Sequence, residues 1–416
     1  MCLTPIYVTI RPKVYQIGDF LGKSYSMPVP CGQCSQCLKK RQGQYRSRVI
    51  LNSQKYPFCY FVTLTYNEDT LPIYCVPFQI DKETGELIKV NDDNTNTFPA
   101  CISRDLPLYK DCRERLNGVD KSFRCRSFYE DLSLPFDYDM RFFYTDSLDY
   151  SDVQKFLKRL RSRLSYYLDD VPKLSYLTCG EYGPVTHRPH YHLLLMFDKP
   201  IENLLHYVRE SWDLGYIDFK SVSCTPQDFG KVGSYISKYL VKGKKNDEPA
   251  AKDGFCVTPR VRSSIGFGSY LTNPQISYLR CYDLYGPYSM FEPDKILNDD
   301  KKKETLFTEM SKRFRCLFAS SATPVTKSVL KRLFAVRSPS GNYFWSPLYL
   351  AFRDFTRDFA VSRNDQLYRQ YCANFGYAEN TLDSYLAFER YKKALADIAN
   401  SKFEASSNAF FKRSKC

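Results

Sequence analysis

The clearest pattern of apolar and polar positions lies between residues 151 and 164. Val153, Phe156, Leu157, Leu160 and Leu164 recur at the spacing of one helix face, and Lys155, Lys158, Arg159, Arg161 and Arg163 occupy the other faces. Ser151 stands where a side-chain oxygen caps a first turn. The pattern predicts an amphipathic helix with a basic outer face, which suits a solvated surface and a DNA-facing one equally.

Strand patterns surround this helix. Residues 58–66 are β-branched and aromatic and run into the turn-forming Asn67-Glu68-Asp69, residues 174–179 alternate, and Gly183-Pro184 and Arg188-Pro189 bound a turn before His190 to Leu195. Residues 216–219 read as a further strand, and 201–208 and 227–242 as helices. Beyond about 290 the chain is helical in pattern, as from Leu382 to Ile398. Residues 1–30 read as irregular, and 78–138 lose periodicity around two hydrophilic runs, Asp81 to Glu86 and Asn91 to Asn96. The resulting division is a cysteine-rich basic segment over 1–57, a core over 58–275 with an insertion at 78–138, and a mainly helical region over 276–416.

Charge narrows the partners. Sixty Lys and Arg against 46 Asp and Glu give a formal net charge of +14, and 34 Tyr and 30 Phe supply rings on which bases stack. Together they favour single-stranded nucleic acid, although many rings must serve the core. No apolar run reaches the ~18 residues of a membrane span, and the start of the chain lacks the pattern of a signal peptide, so its 16 cysteines are read as reduced thiols in cytoplasm. Gly18-x3-Gly22-Lys23-Ser24 is one residue short of a phosphate-binding loop, which leaves no candidate ATP site.

Three of the four histidines, His187, His190 and His192, fall in one short stretch. In a strand His190 and His192 share a face, and a hairpin brings Glu181 towards them. Two imidazoles and a carboxylate suit Mg2+, Mn2+ or Zn2+, with positions left for water or a phosphate oxygen. Taken alone, His-x-His suits a hydrogen-bonded pair better. Cys31, Cys34 and Cys37 have the spacing of a structural Zn2+ site without a visible fourth ligand, Cys59 and Cys179 being the nearest to other motifs. The same spacing suits three thiols on one helix face. Tyr235 and Tyr239, with Lys238 and Lys242 interleaved, share a face of the 227–242 helix and serve either a core or a site. Residues 259–271 mix Arg260 and Arg262 with hydroxyls and glycines, as a phosphate-approaching loop or a plain turn does.

The order of these pieces carries more than each alone. Pro30-Cys31-Gly32-x-Cys34-x2-Cys37, Thr63-Leu64-Thr65-Tyr66, Asp152-Val153-Gln154-x-Phe156-Leu157-Lys158-Arg159-Leu160-Arg161, Cys179-Gly180-Glu181-Tyr182-Gly183, Arg188-Pro189-His190-Tyr191-His192, Tyr235-x2-Lys238-Tyr239-x2-Lys242 and Ser263-Ser264-x-Gly266-x-Gly268 span roughly residues 30–275. The set resembles the His-hydrophobic-His single-strand endonucleases, and within them the replication initiators of the microviruses, notably the gokushovirus-like branch.

The resemblance implies an α+β fold, a central antiparallel sheet flanked by helices with the histidine strand in its middle. It implies a rolling-circle initiator in the host bacterial cytoplasm that nicks and joins origin single-stranded DNA, with Mg2+ or Mn2+ at His190, His192 and Glu181. Tyr235 or Tyr239 forms a 5′-phosphotyrosine, Lys238 assists, and Lys158, Arg159, Arg161, Lys242, Arg260 and Arg262 contact DNA. Without an ATP site, the chain calls for a host helicase as well as a polymerase. A plasmid initiator or transposase of the same superfamily fits many of the same residues, whereas a relaxase usually has its tyrosines before the metal motif. A non-catalytic zinc-containing nucleic-acid-binding protein fits the charge but leaves the His/Glu and Tyr pairs unexplained. A metal-dependent oxygenase leaves the tyrosine helix unexplained.

Overall fold

The computed structural model describes residues 6–10, 25–29, 31–32, 34–80, 87–89, 100–117, 140–183, 188–222, 231–233, 235–236, 256–287, 292–316, 327–337 and 343–413. Its elements begin with β1 (Ile6–Ile10), β2 (Tyr25–Val29), α1 (Ser35–Ser53), β3 (Phe58–Tyr66), β4 (Ile73–Ile80), β5 (Leu87–Lys89), β6 (Ala100–Cys101), α2 (Pro107–Asn117) and β7 (Met140–Asp146). They continue with α3 (Tyr150–Tyr167), β8 (Leu174–Tyr182), β9 (Pro189–Phe197), α4 (Leu204–Ser211), β10 (Gly215–Val222) and β11 (Val261–Ser263). The helices that follow include α5 (Asn273–Leu279), α6 (Tyr282–Tyr285), α7 (Asp294–Leu297), α8 (Asp300–Cys316) and α9 (Lys327–Phe334), then the strands β12 (Ala335–Arg337) and β13 (Tyr343–Trp345), and finally α10 (Pro347–Phe375) and α11 (Leu382–Arg413). The chain forms two compact units, residues 48–270 and residues 1–47 with 271–416.

The unit of residues 48–270 is built on a five-stranded antiparallel sheet in the order β10-β3-β9-β8-β11, so the histidine strand β9 lies in its middle as expected. Alternation sorts β9 into two faces. Tyr191, Leu193, Leu195 and Phe197 join Val62, Leu64 and Tyr66 of β3 in one buried core with Val153, Phe156, Leu157, Leu160 and Leu164 of α3 and Leu204 and Val208 of α4. The apolar stripe of α3 is therefore the face that meets the sheet, and each such side chain contributes about 1.5–3 kcal/mol on full burial. Asp149 caps α3 by accepting from Ser151 N, two residues before the expected cap.

Beneath this core Tyr66 donates to Asp152 Oδ2 at 2.9 Å, and Arg104 donates to both oxygens of Asp152 at 2.8 and 3.0 Å. That buried carboxylate ties β3, α3 and the segment before α2 together. The opposite face of β9 carries His190, His192, Leu194 and Met196. Toward Met196 it is covered by the end of α1, where Asn52 donates to Ser175 Oγ at 3.1 Å and lies 3.3 Å from Met196 Sδ.

Two stretches carry more structure than their pattern suggested. Residues 1–30 contain β1 and β2, paired antiparallel with Ile6 opposite Val29. The region from 73 to 146 contains a second sheet, with β4 pairing β5, β6 and β7, and the helix α2. Pro77 masks β4 in the sequence. Its missing N–H is tolerated because β6 pairs with Tyr74–Cys75 and β5 with Phe78–Ile80, and neither opposes Pro77. The other unit is mainly helical at its C-terminal end. There α10 ends at Gly376, whose φ of 72° is the left-handed cap that lets α11 begin, and Tyr368, Tyr371, Cys372 and Phe388 pack between the two helices.

Candidate active site

Strand register assembles the first group. In β8 and β9 Glu181 pairs with His190 and Cys179 with His192, while in β3 Thr65 pairs with His190 and Thr63 with His192. Opposed residues share a face, so Glu181, both histidines and Thr63 project together. His192 Nε2 lies 3.2 Å and His190 Nε2 3.8 Å from the same atom, Glu181 Oε2, and the two imidazoles stand nearly perpendicular. Glu181 and His192 are buried and His190 is half-buried.

The remaining ring nitrogens are held from outside. His190 Nδ1 is 3.1 Å from the carbonyl oxygen of Arg188, which can only accept, so Nδ1 carries the proton and Nε2 keeps its lone pair. His192 Nδ1 is 3.3 Å from Thr63 Oγ1. Both imidazoles thus turn a basic nitrogen toward Glu181, the arrangement that outer partners give metal-ligating histidines. The donor set of two nitrogens and one carboxylate oxygen, with ligand atoms within 4.8 Å of one another, fits a divalent ion with positions left open. Thr63 is a residue whose role sequence reasoning missed. Its signal was the β3–β9 register, which periodicity alone does not supply.

Of the tyrosine pair, Tyr235 is described and Tyr239 lies outside the described residues, as do Lys238, Lys242 and His187. Residues 231–233 and 235–236 are helical, and Tyr235 is half-buried. Phe61, on the histidine face of β3, stacks on His192 with 5.7 Å between ring centroids and meets Tyr235 edge-on at 5.2 Å. One ring therefore separates Tyr235 from the histidines. Tyr191, between the two histidines in sequence, faces the opposite way, accepts from Asp149 N at 2.6 Å, and burial holds its phenol well above the usual range. Burial does the same to Tyr182 and Tyr66, and pushes Tyr150 up to about 12.

The glycine-bearing loop is organised by packing. Gly268 has φ of 69°, and a Cβ there would lie 2.5 Å from Arg48 Cα, while Arg48 donates to Phe267 O at 3.1 Å and Ser263 Oγ at 3.0 Å. Its glycine answers to the close approach of α1. Among the expected DNA contacts, Arg159 is committed to Asp213, Arg161 lies over the Tyr176 ring at 5.8 Å, and Arg262 lies over Tyr150 at 5.1 Å. Lys158 and Arg260 are exposed.

The second group is local. Cys31, Cys34 and Cys37 bring their sulfurs within 4.8 Å of one another at the start of α1, with Cys31 and Cys37 Sγ 4.0 Å apart and Cys34 N donating to Cys31 Sγ at 3.3 Å. A tetrahedron of sulfurs about 2.3 Å from one ion has edges of about 3.8 Å, close to this spacing. Gly32, with φ of 75°, turns the chain between the first two thiols. Cys59 and Cys179 are buried in β3 and β8 and are not members of this group. Among the described residues no helix is long and apolar enough to cross a membrane.

Comparison with known proteins covers the middle of the chain. Residues 136–244 match the family model of the replication-associated protein ORF2, a stretch that runs from just before β7 past Tyr235. The chain is 31% identical over 133 residues to the replication-associated protein VP4 of Bdellovibrio phage phiMH2K, covering 28% of this chain and 42% of that one. It is 30% identical over 143 residues to the replication-associated protein ORF4 of Chlamydia phage 1, covering 30% of this chain and 35% of that one. The match thus spans less than half of either relative's length. No solved structure matches. Across its central region, the part that holds Glu181, His190, His192 and Tyr235, the chain is similar to the replication-associated proteins of microviruses, the group its motifs resemble.

Proposed function

We propose that this chain initiates rolling-circle replication of a single-stranded DNA phage by nicking and rejoining origin DNA in the host bacterial cytoplasm. One observation carries the reading: two histidine Nε2 atoms converge on Glu181 Oε2 in the middle of the sheet, with Tyr235 one ring away across Phe61. Glu181, His190 and His192 would hold Mg2+ or Mn2+, and two imidazoles favour Mn2+, since Mg2+ prefers oxygen donors. When bound, the ion polarises the scissile phosphate and offsets charge developing on its oxygens.

The chain's own residues make and break the bonds. The phenol oxygen of Tyr235 or Tyr239 attacks phosphorus, its proton passing to solvent, and the P–O3′ bond breaks as O3′ takes up a proton. The products are a 5′-phosphotyrosine and a free 3′-OH from which a host polymerase extends, with a host helicase opening the duplex ahead. Lys238 favours the phenolate by its charge. The phosphotyrosine ester conserves the phosphodiester's free energy, so attack by a 3′-OH on it rejoins the strand. Tyrosines four apart share a helix face, which permits a second cleavage while the first ester persists. Cys31, Cys34 and Cys37 hold a structural Zn2+ apart from this chemistry.

The test uses the full chain, Mn2+ and single-stranded DNA of the genome that encodes it. Denaturing electrophoresis is expected to show an SDS-resistant adduct that chelation abolishes and Tyr235→Phe/Tyr239→Phe lacks. No wild-type adduct would count against nicking, and an adduct in the double variant would sink the nucleophile assignment.

A further inference from the structure

The cations of α3 fall into two sets. Arg159 and Arg163 lie on the side of the helix next to α4, where Arg159 pairs with Asp213 and Arg163 with Glu210 at 2.9 Å. Lys155, Lys158 and Arg161 lie on the outer stripe, exposed, and have no acidic partner among the described residues. Helical spacing continues that stripe to Tyr166, which is 82% exposed, next to Tyr167, which is 55% exposed. An exposed ring costs hydration, and two together at the end of a basic stripe form a patch rather than a scatter.

The rings are ordered. Tyr166 and Tyr167 meet edge-on at 4.9 Å, and Tyr167 lies against Tyr207 of α4 at 5.8 Å. At the other margin of the stripe two guanidiniums lie over tyrosine rings of the same side, Arg161 over Tyr176 and Arg262 over Tyr150. Arg262 belongs to this side because it pairs with Thr178 of β8, one residue out of step with Cys179 and Glu181. Stacking fixes both guanidiniums, so less freedom is lost when they meet a phosphate.

This surface lies on the helix side of the sheet, whereas Glu181, His190 and His192 project from the other side. A strand bound here is therefore held away from the histidine group. We infer that the outer stripe of α3, with Arg262, is a second, non-covalent binding surface for single-stranded DNA, its phosphates on Lys155, Lys158, Arg161 and Arg262 and its bases on Tyr166 and Tyr167. Unneutralised cations supply the attraction to phosphate. Exposed rings select unpaired bases, since a duplex keeps its faces stacked internally. The surface lets one molecule keep hold of DNA whose cut end it does not contact.

The surface is tested by anisotropy of a labelled 30-nucleotide oligothymidylate with the full chain in chelator, where no cleavage competes, at a series of salt concentrations. Lys155→Ala/Lys158→Ala/Arg161→Ala is expected to weaken binding at least about 10-fold and to lower the salt slope by about 2, near 0.7 per phosphate contact. Tyr166→Ala/Tyr167→Ala is expected to weaken it about 10-fold with the slope unchanged, stacking being salt-independent. An unchanged affinity and slope in both variants, each folded by circular dichroism, would overturn the surface, and tighter binding of a duplex of equal length would overturn its occupant. A His190→Ala/His192→Ala chain separates this from the nicking reading. Unchanged oligothymidylate binding in that variant supports a separate surface, while loss of binding would place the DNA on the histidine side alone.

Discussion

The two groups that can hold a metal ion stand on different scaffolds. Glu181, His190 and His192 come from neighbouring strands, and the register of β8 and β9 keeps them together with or without an ion. Cys31, Cys34 and Cys37 come from one turn at the start of α1, where only local backbone holds them. The first is a preorganised nitrogen and oxygen set with room for substrate oxygens. The second is a thiolate set whose affinity can hold a turn in shape. A scaffold that is rigid without its ion is suited to chemistry, and one that depends on its ion is suited to architecture.

The largest effect should separate the groups by activity. His190→Ala/His192→Ala is expected to lower adduct formation on the order of 10³-fold or more while the melting temperature changes little, because the sheet's pairing is backbone pairing. Cys31→Ser/Cys34→Ser, assayed per folded molecule, is expected to stay within about 3-fold of wild type. Equal losses from both would erase the distinction.

Stability should separate them the other way. If the thiolates hold Zn2+, the bound ion stabilises by RT ln(1 + [L]/Kd), about 2.7 kcal/mol at 100 times Kd. Metal analysis is expected to find one zinc per chain, absent in the Cys31→Ser/Cys34→Ser variant. Hydrogen exchange on removing zinc is expected to rise at the start of α1, where Ser35 N donates to Asn400 Oδ1 at 2.7 Å, so the end of α11 reports the same loss. Unchanged exchange there would leave the cysteines as thiols.

Legibility followed the range of the interactions. The α3 stripe, the strands β3, β8 and β9, and the grouping of Glu181 with the histidines were readable because helix period, alternation and a short turn are local. The pairing of β1 with β2 and of β4 with β7 was not, since each joins segments far apart in the chain and Pro77 reads as a breaker. Charge was legible only as a sum. Arg159 and Lys158 are neighbours with the same pattern, and only the position of Asp213 beside α3 commits one and leaves the other exposed. The glycines of 266–268 read as room for a phosphate, and the room at Gly268 is taken by Arg48.

The outer partners offer a finer probe of the histidine group. Thr63→Val keeps the β-branched shape of a strand residue but removes the oxygen 3.3 Å from His192 Nδ1. Loss of an outer partner of a ligating histidine costs about 10- to 100-fold in metal affinity. Mn2+ titration of adduct formation is expected to show that rightward shift with the plateau nearly unchanged. A lower plateau with no shift would mean that Thr63 acts on the reacting atoms rather than on the ligand.

The smallest effect should come from Arg188, whose role is one step further out. Its carbonyl accepts from both His190 Nδ1 and Gly183 N, so it sets one imidazole and closes the turn between β8 and β9. The side chain anchors that carbonyl from the far side, donating through Nε and Nη2 to Tyr66 O and through Nη1 to Glu68 at 2.6 Å. Arg188→Lys keeps the charge but offers a single ammonium where a fork met two partners. With about one hydrogen bond lost, roughly 1 kcal/mol, Mn2+ affinity is expected to fall about 3- to 10-fold. In a chain carrying both Arg188→Lys and Thr63→Val the two shifts should add in free energy, because the two outer partners serve different rings. A shift as large as that of Thr63→Val would show that the turn, rather than the strand register, positions the histidines.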